Sequence, residues 1–246
     1  MMTETELMTK FLTETTCENS KPMDGPVPPP EKPCPCDARV YRLPEPDLFK
    51  DTNINFLEMV ELRASLRFYT DEPITMDELS FLLWCSQGVK MALPDGGTMR
   101  NVPSAGARHA FETYLLVDNV EGIPKGLYRF LALGHALLPV RLGDDVIGDV
   151  LPAFYQSEMV AKSAVTFIWC ADFKRMAHKF GNRAARYIFL DAGHACQNLY
   201  LAAHAKKIGT CAVGKFDDEK LNAVLGLDGE NDFAVYAATV GKPERG

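Results

Sequence analysis

Two arginines and a serine alternate in Arg63-Ala64-Ser65-Leu66-Arg67, just after a stretch with the apolar spacing of a helix. Alternate residues of an extended backbone lie on the same side, so Arg63, Ser65 and Arg67 could bind one partner together. Guanidinium groups form charge-assisted hydrogen bonds with phosphate. The spacing therefore permits a phosphate site, but it also fits a solvated loop, and spacing alone favours the loop.

Two segments of small residues could bring the backbone close to a flat ring. Pro103, Ser104, Ala105 and Gly106 form the first, and the second, GTCAVGKF, begins at Gly209. Small side chains let backbone N–H and C=O groups approach a ligand. For the first segment an ordinary turn before a strand is the better interpretation in isolation.

Several classes of functional site have no support in the sequence. It lacks GxGxxG after a strand, GxxxxGK[ST], HExxH and GxSxG, which argues against a Rossmann, P-loop, zincin or α/β-hydrolase site. The five histidines are scattered and none has a convincing metal spacing, so no metal site is predicted. We expect His194 to be a hydrogen-bonded histidine of the core.

Length, charge and cysteine content indicate the size, the partners and the cellular location to expect. The 246 residues fit one large domain or two small ones, and the net charge of −7 gives no reason to expect nucleic acid or an anionic membrane as partner. No segment has the apolar core of a signal peptide or transmembrane length. Several of the seven cysteines lie in apolar settings, as is common in reducing compartments. We therefore expect a cytoplasmic protein.

The elements that must position these residues surround one long helix. From Ala184 to Ala205 the chain contains no proline, and apolar residues occupy nearly every direction around a helix axis. A helix that is apolar all round is buried all round. We expect a long buried central helix that ends at Lys206-Lys207 with Gly209 as a left-handed cap, and that could pack against its twin in a dimer.

Strands and shorter helices are interspersed on both sides of this helix. The apolar pattern predicts strands over 111–117, 126–130, 136–142, 165–171 and 233–240. Thr75 and Glu78 form a capping box for one helix, and Asp217 caps another that ends before Gly226. This order predicts an α+β fold, with a mixed central sheet flanked by helices.

The first 50 residues differ from the rest. The stretch PMDGPVPPPEKPCPC is rich in proline, which favours extended backbone, so we expect residues 1–50 to form an N-terminal arm and residues 51–246 the folded domain. Cys34 and Cys36 could bind metal or form a disulfide, but two ligands are too few for zinc. A linker with two thiols is the simpler interpretation.

The order of these features resembles the nitroreductase family of flavin mononucleotide (FMN) enzymes, and more narrowly its SagB/ThcOx-type dehydrogenase branch. The resemblance is carried by RASLRFYTDEPITMDELSFLLWCSQGV, VPSAGARHAFETYLLVDNVEGIPKGLYRF, KFGNRAARYIFLDAGHACQNLYLAA and IGTCAVGKFDDEKLNAVLGLDGE. It covers the chain from about residue 55 to the end. It implies a nitroreductase-like fold with the central helix at a dimer interface.

The resemblance also implies roles for individual residues. The family's Arg-x-Ser-x-Arg segment holds the flavin phosphate, which implies that role for Arg63, Ser65 and Arg67. Its PSAG segment, often from the second subunit, lies against the isoalloxazine ring, and its loop after the central helix approaches the flavin edge. The other implied FMN-binding residues are Pro103, Ser104, Ala105, Gly106, Ala212, Val213 and Gly214, with Lys242 and Arg245 as C-terminal helpers.

The chain departs from its relatives at two positions. Relatives that oxidise azoline rings carry a Lys-Tyr pair before the central helix, whereas this chain has Lys179-Phe180. Lys179 could still act as a catalytic base, but the phenol proton donor is missing, which argues against azoline oxidation. Ala107 stands where general nitroreductases commonly have Asn, which favours the SagB-like branch.

Three functions are compatible with these residues. The first is a homodimeric FMN oxidoreductase with shared active sites, which passes electrons from a donor such as NAD(P)H to a nitroaromatic, a quinone or another unsaturated small molecule. The second is a SagB-type dehydrogenase that oxidises a heterocycle in a peptide or metabolite, with Lys179 as base. The third is a flavin- or partner-binding protein without turnover.

Overall fold

A computed structural model describes residues 2–45, 55–94 and 96–244. The α-helices of this part are α1 (Glu4–Glu14), α2 (Phe56–Leu62), α3 (Met76–Gln87), α4 (Asp145–Val150), α5 (Ser157–Lys162), α6 (Phe173–Phe180), α7 (Ala184–Ala205) and α8 (Asp218–Leu225). Its strands are β1 (Tyr41–Arg42), β2 (Val89–Ala92), β3 (Thr98–Arg100), β4 (Phe111–Val117), β5 (Gly126–Leu131), β6 (Ala136–Leu142), β7 (Val165–Asp172), β8 (Gly209–Val213) and β9 (Asp232–Gly241).

Seven strands form one sheet in the order β1-β6-β5-β4-β7-β9-β8, and β2 and β3 form a separate ribbon. The α+β architecture is as predicted, but the expected mixed sheet is corrected in one respect. Between the described strands of this sheet, every pairing is antiparallel. Hairpins connect β4, β5 and β6, and β9 runs antiparallel to both of its neighbours, β7 and β8.

The sheet separates two apolar layers, because successive side chains of a strand point to opposite faces. In β4, Leu115 and Val117 belong to the core shared with α3 and α7. Tyr114 and Leu116 belong to a second cluster with residues of α4, α5 and α8. The strand is therefore buried on both faces, as the apolar run from Tyr114 to Val117 indicates.

Helix α7 has the predicted bounds and packs against α3, α6, β8 and β9. One stripe of α7 is nevertheless open in the single chain, where Phe189 and Leu190 are each 59% exposed. The prediction of burial on all sides is therefore not met within one chain, because no described element covers this stripe. Among the described helices, none combines the length and apolar character that crossing a membrane requires.

The predicted helix caps are confirmed except at the end of α7. Thr75 and Glu78 bond reciprocally at the start of α3, and Gly226 ends α8 in the left-handed conformation. After α7 the left-handed residue is Lys207, with φ of 56°, and not Gly209. Ile208 N–H bonds to Ala203 O at 2.9 Å, which completes a Schellman motif before Gly209 is reached.

The N-terminal arm lies against the rest of the chain. It contains a helix, α1, that the sequence analysis did not predict. At the end of α1, Arg186 Nε donates to Thr15 Oγ1 at 2.6 Å. Arg100 Nη2 and Arg129 Nη2 then donate to the carbonyl oxygens of Pro30 and Pro33 at 2.9 and 2.8 Å. β1 finally pairs with β6 and extends the sheet by one strand.

Candidate functional site

The segment with alternating arginines runs in extended form from the end of α2 along β8. Leu66 N–H bonds to Thr210 O at 3.0 Å, which fixes the segment to the first residues of the strand. Ser65 Oγ lies 2.9 Å from Tyr200 Oη, and the Arg63 guanidinium lies 5.4 Å from the centre of the Tyr200 ring. The structure thus brings Arg63 and Ser65 together at one tyrosine of α7.

A cavity of about 930 Å³ opens beside Arg67, bounded also by Cys211 and Ala212 of β8 and by residues of α5 and the two residues before it. This volume lies within the range of roughly 300–1,000 Å³ that is usual for small-molecule sites. The Arg67 guanidinium donates to the Ser65 carbonyl oxygen at 3.2 Å, and the side chain is exposed. Arg67 and Lys162 place positive charge on its walls, and Asp71, Glu158 and Glu244 place negative charge there.

The end of β8 meets the same tyrosine from the other side. Ala212 N–H donates to Tyr200 Oη at 2.7 Å. Val213 is buried and Gly214 is exposed at the turn that follows. Sequence reasoning did not single out Tyr200, although a tyrosine on an otherwise apolar helix face is a signal that its hydroxyl needs a partner.

The Pro103–Gly106 segment contacts a different part of α7. Ala105 N–H donates to the Asp191 carboxylate, at 3.2 Å from Oδ1. Gly106 has a φ of 55°, and a Cβ added to it would lie 2.9 Å from Lys179 Nζ. The structure therefore groups Pro103, Ser104, Ala105 and Gly106 with Lys179 and with Asp191, which sequence reasoning did not identify.

These two groups of residues are separated within one chain. Tyr200 follows Asp191 by nine positions on α7, which corresponds to about 14 Å along the axis and to opposite sides of the helix. Arg63, Ser65, Arg67 and the end of β8 thus form one group, and the Pro103–Gly106 segment with Lys179 forms another.

Burial controls the ionisation of the acid and histidine nearest the Pro103–Gly106 segment. It raises the pKa of Asp191, while hydrogen bonds from Ser104 and Ala105 act in the opposite direction. Burial and the neighbouring guanidinium groups of Arg100, Arg108 and Arg175 lower the pKa of His109 to about 3. His109 is therefore neutral at physiological pH and adds no charge to this segment.

His194 is not the core histidine that the sequence suggested. Its side chain is half exposed, and its Nδ1 lies 3.8 Å from Asp191 Oδ1. The reason is its position on the open stripe of α7, beside Leu190.

Among the described residues, no group of three histidine, cysteine or acidic side chains could hold a metal ion, and Cys34 and Cys36 are free thiols.

Of the two C-terminal residues expected to help bind FMN, Lys242 and Arg245, only Lys242 lies in the described part of the chain. The Lys242 ammonium is ion-paired with Glu78 at the start of α3, and Arg245 lies outside the described residues. The Lys242 carbonyl oxygen accepts from Thr70 N–H at 2.9 Å. The end of the chain therefore follows the segment after Arg67, while the Lys242 charge is already neutralised by Glu78.

A sequence model of the nitroreductase family matches residues 60–242. The chain belongs to the nitroreductase family. The protein named "Putative nitroreductase MJ1384" from Methanocaldococcus jannaschii is 34% identical over 164 residues, which are 66% of this chain and 80% of that protein. The trifolitoxin operon protein TfxC of Rhizobium leguminosarum bv. trifolii is 25% identical over 191 residues, 73% of this chain and 53% of that protein. The family inferred from the sequence blocks is confirmed, and the likeness to TfxC fits the SagB-type branch.

Solved structures share the nitroreductase fold. A protein of Ralstonia eutropha JMP134 aligns with a TM-score of 0.70 at 24% identity, over 92% of this chain and 99% of that one. A protein of Desulfovibrio desulfuricans, solved in complex with FMN, aligns with a TM-score of 0.55 at 20% identity, over 78% of this chain and 89% of that one. At these identities the alignments support the fold.

The residues around the cavity suit FMN chemically. Arg67 lines the cavity, and Arg63 and Ser65 precede it in the same extended segment, so the three residues offer the cationic and hydroxyl donors that a phosphate requires. The cavity is also lined by the aromatic side chains of Phe68 and Tyr155 and by the backbone end of β8, surfaces against which a flat ring can lie. The donor set and the volume therefore both fit this cofactor.

Proposed function

We propose that the protein is an FMN-dependent oxidoreductase of the nitroreductase type. The observation that carries the proposal is the meeting of Ser65, Arg63 and the end of β8 at Tyr200, beside the cavity that Arg67 lines. FMN, when bound, supplies the electron-transfer chemistry. The chain would hold the phosphate with Arg63, Ser65 and Arg67, and would orient the ring along Ala212, Val213 and Gly214.

We further propose that the active sites are shared between two subunits of a homodimer. The open stripe of α7 and the outer face of α2 carry exposed apolar side chains, namely Phe56, Leu57, Phe189 and Leu190. A partner that covers this surface would bury apolar area, which favours association. It would also allow the Pro103–Gly106 segment and Lys179 of one subunit to approach the cavity of the other. NAD(P)H is the proposed donor, and a nitroaromatic, quinone or unsaturated small molecule the acceptor.

Purified protein is expected to bind one FMN per chain and to be reduced by NADH or NADPH in the absence of oxygen. The measurement is the visible absorption spectrum, with light scattering of the same sample to determine whether it is a dimer. A protein that neither contains nor takes up FMN would contradict the proposal. Tight binding without reduction by any donor would instead favour the flavin-binding protein without turnover.

A second candidate function is the SagB-type oxidation of a heterocycle in a peptide or metabolite. The observation that favours it is the position of Lys179, whose ammonium lies against Gly106 of the segment proposed to contact the ring. A lysine in this position could remove a proton from a bound substrate. Without the phenol of a following tyrosine, Lys179 would have to do so alone.

If Lys179 is the base, Lys179→Ala is expected to lower heterocycle dehydrogenation by about 10²–10⁴-fold while FMN content stays complete. Lys174→Ala is the matched control, because Lys174 is an exposed lysine of the same helix. The measurement is turnover with a panel of heterocyclic substrates, together with the ratio of flavin to protein. Equal turnover of Lys179→Ala and the wild type would exclude this residue as the base.

A further inference from the structure

Tyr200 contacts three residues of the proposed FMN site. Its Oη is the acceptor for Ala212 N–H at 2.7 Å and lies 2.9 Å from Ser65 Oγ. The Arg63 guanidinium packs over its ring at 5.4 Å. Tyr200 is itself buried, so these contacts are made away from solvent. One buried side chain therefore connects the phosphate segment with the end of β8.

The bonding capacity of a phenol limits the directions that these hydrogen bonds can take. Tyr200 Oη has one hydrogen to donate and two lone pairs that accept. Ala212 N–H occupies one acceptor position, so Tyr200 keeps one lone pair and its hydrogen for Ser65 Oγ, and either oxygen can be the donor. In the arrangement where Tyr200 donates, Ser65 accepts, and the serine hydrogen is left to point toward a ligand. Hydrogen bonds arranged in such a chain polarise one another and become stronger.

We propose that Tyr200 is a positioning residue for phosphate recognition, in which the chain Ala212 N–H, Tyr200 O–H, Ser65 O–H directs the serine hydrogen toward the FMN phosphate. The ring of Tyr200 keeps the Arg63 guanidinium beside that hydrogen. The inference rests on the proposed function, because it assumes that FMN is the ligand. Its consequence is selectivity: Tyr200 favours FMN over riboflavin, which has the same ring system and no phosphate.

The test compares the two flavins in the full-length protein. Apoprotein of the wild type and of Tyr200→Phe is titrated with FMN and with riboflavin, and the dissociation constants are measured from the quenching of flavin fluorescence. Tyr200→Phe keeps the ring under Arg63 and removes only the hydroxyl. We expect it to raise the Kd for FMN about 10-fold, the effect of one or two lost hydrogen bonds, and to raise the Kd for riboflavin by less, through the lost acceptor for Ala212 N–H alone.

Tyr128→Phe is the matched control. The Tyr128 hydroxyl also makes a hydrogen bond within the protein, to Pro124 O at 2.6 Å, but it lies in β5, away from the proposed site. Its loss is expected to leave the Kd for both flavins unchanged. Ser65→Ala provides a second variant at a less buried position, and it is expected to reduce the preference for FMN in the same way as Tyr200→Phe.

Two results would overturn the inference. One is a Tyr200→Phe variant that weakens FMN and riboflavin binding equally, because the tyrosine would then act through packing alone. The other is full additivity of Ser65→Ala and Tyr200→Phe in the double variant, because members of one hydrogen-bond chain are expected to be coupled. Failure of the wild type to bind either flavin would refute the proposed function itself. The wild type is therefore titrated first, before any variant is compared with it.

Discussion

Replacing Glu112 by alanine is expected to lower the free energy of unfolding by about 3–5 kcal/mol, the usual cost of removing one partner from a buried ion pair. Glu112 lies near the start of β4 and is 3% exposed. Its Oε1 accepts from Arg175 Nη2 at 2.8 Å, and its Oε2 accepts from Arg129 Nη1 at 3.5 Å. Both guanidinium groups are also buried, so in the variant they would lack this counter-charge where water cannot replace it.

The same substitution is expected to loosen the N-terminal arm. Lys32 N–H donates to Glu112 Oε1 at 2.9 Å, and the neighbouring arm carbonyls are held by Arg129 and Arg100. When Glu112 is removed, the arm loses one bond directly, and Arg129 is no longer oriented by its carboxylate. Cleavage in the arm by a protease under native conditions should therefore be faster in the variant than in the wild type.

Urea unfolding at pH 7 measures the first effect, with Asp118→Ala as the control. Asp118 forms a more exposed ion pair with Lys125 at 2.7 Å, and pairs of that kind contribute about 0–1 kcal/mol. If Glu112→Ala were as stable as Asp118→Ala, the buried cluster would not hold β4, β5 and α6 together. A Glu112→Gln variant keeps the volume and separates the loss of charge from the cavity left by alanine.

Local signals account for the parts of the fold that could be predicted. The capping box at Thr75 and the cap at Asp217 are completed within three residues, so the sequence contains the whole interaction. The apolar runs of β4 and β7 likewise reflect burial on both faces. Strand direction has no such local signal, because it depends on the path of the connections, and the sheet is antiparallel where a mixed one was expected.

The candidate site shows the same division between local and distant contacts. The alternation of Arg63, Ser65 and Arg67 is visible in the sequence because extended backbone repeats every two residues. The apolar helix face marks Tyr200 as a hydroxyl that needs a partner, but Ser65, which lies 135 residues away, and the partner of Asp191, 86 residues away, have no local signal. Only the fold shows which loop lies against which side of α7.

Arg67→Ala is expected to raise the Kd for FMN by about 10–100-fold, which corresponds to about 1.5–3 kcal/mol for a hydrogen bond to a charged group. Arg67 lines the cavity, and its guanidinium can turn from the Ser65 carbonyl oxygen to a phosphate. Because the side chain is exposed, the substitution should change the free energy of unfolding by no more than about 0.5 kcal/mol. Arg67→Ala should therefore weaken FMN binding without a matching loss of folding stability.

The chemistry of the arginine predicts how related variants differ. Arg67→Lys keeps the charge but loses the planar pair of donors, so its FMN affinity should lie between those of the wild type and Arg67→Ala. Riboflavin affinity should not change in either variant, because riboflavin carries no phosphate. The salt dependence of FMN binding should be weaker in Arg67→Ala, since one screened attraction has been removed.

Lys162→Ala tests where in the cavity the phosphate lies. Lys162 contributes the other cationic side chain that lines the cavity, and it belongs to α5 rather than to the segment that follows α2. If the phosphate is bound by Arg67 and Ser65, Lys162→Ala should weaken FMN binding much less than Arg67→Ala, and titration of the apoprotein variants with FMN measures both. The reverse order would place the phosphate at α5. It would contradict the assignment of all three residues, because Tyr200 joins Arg63 with Ser65 and because Arg67 lies in the same extended segment and donates to the Ser65 carbonyl oxygen.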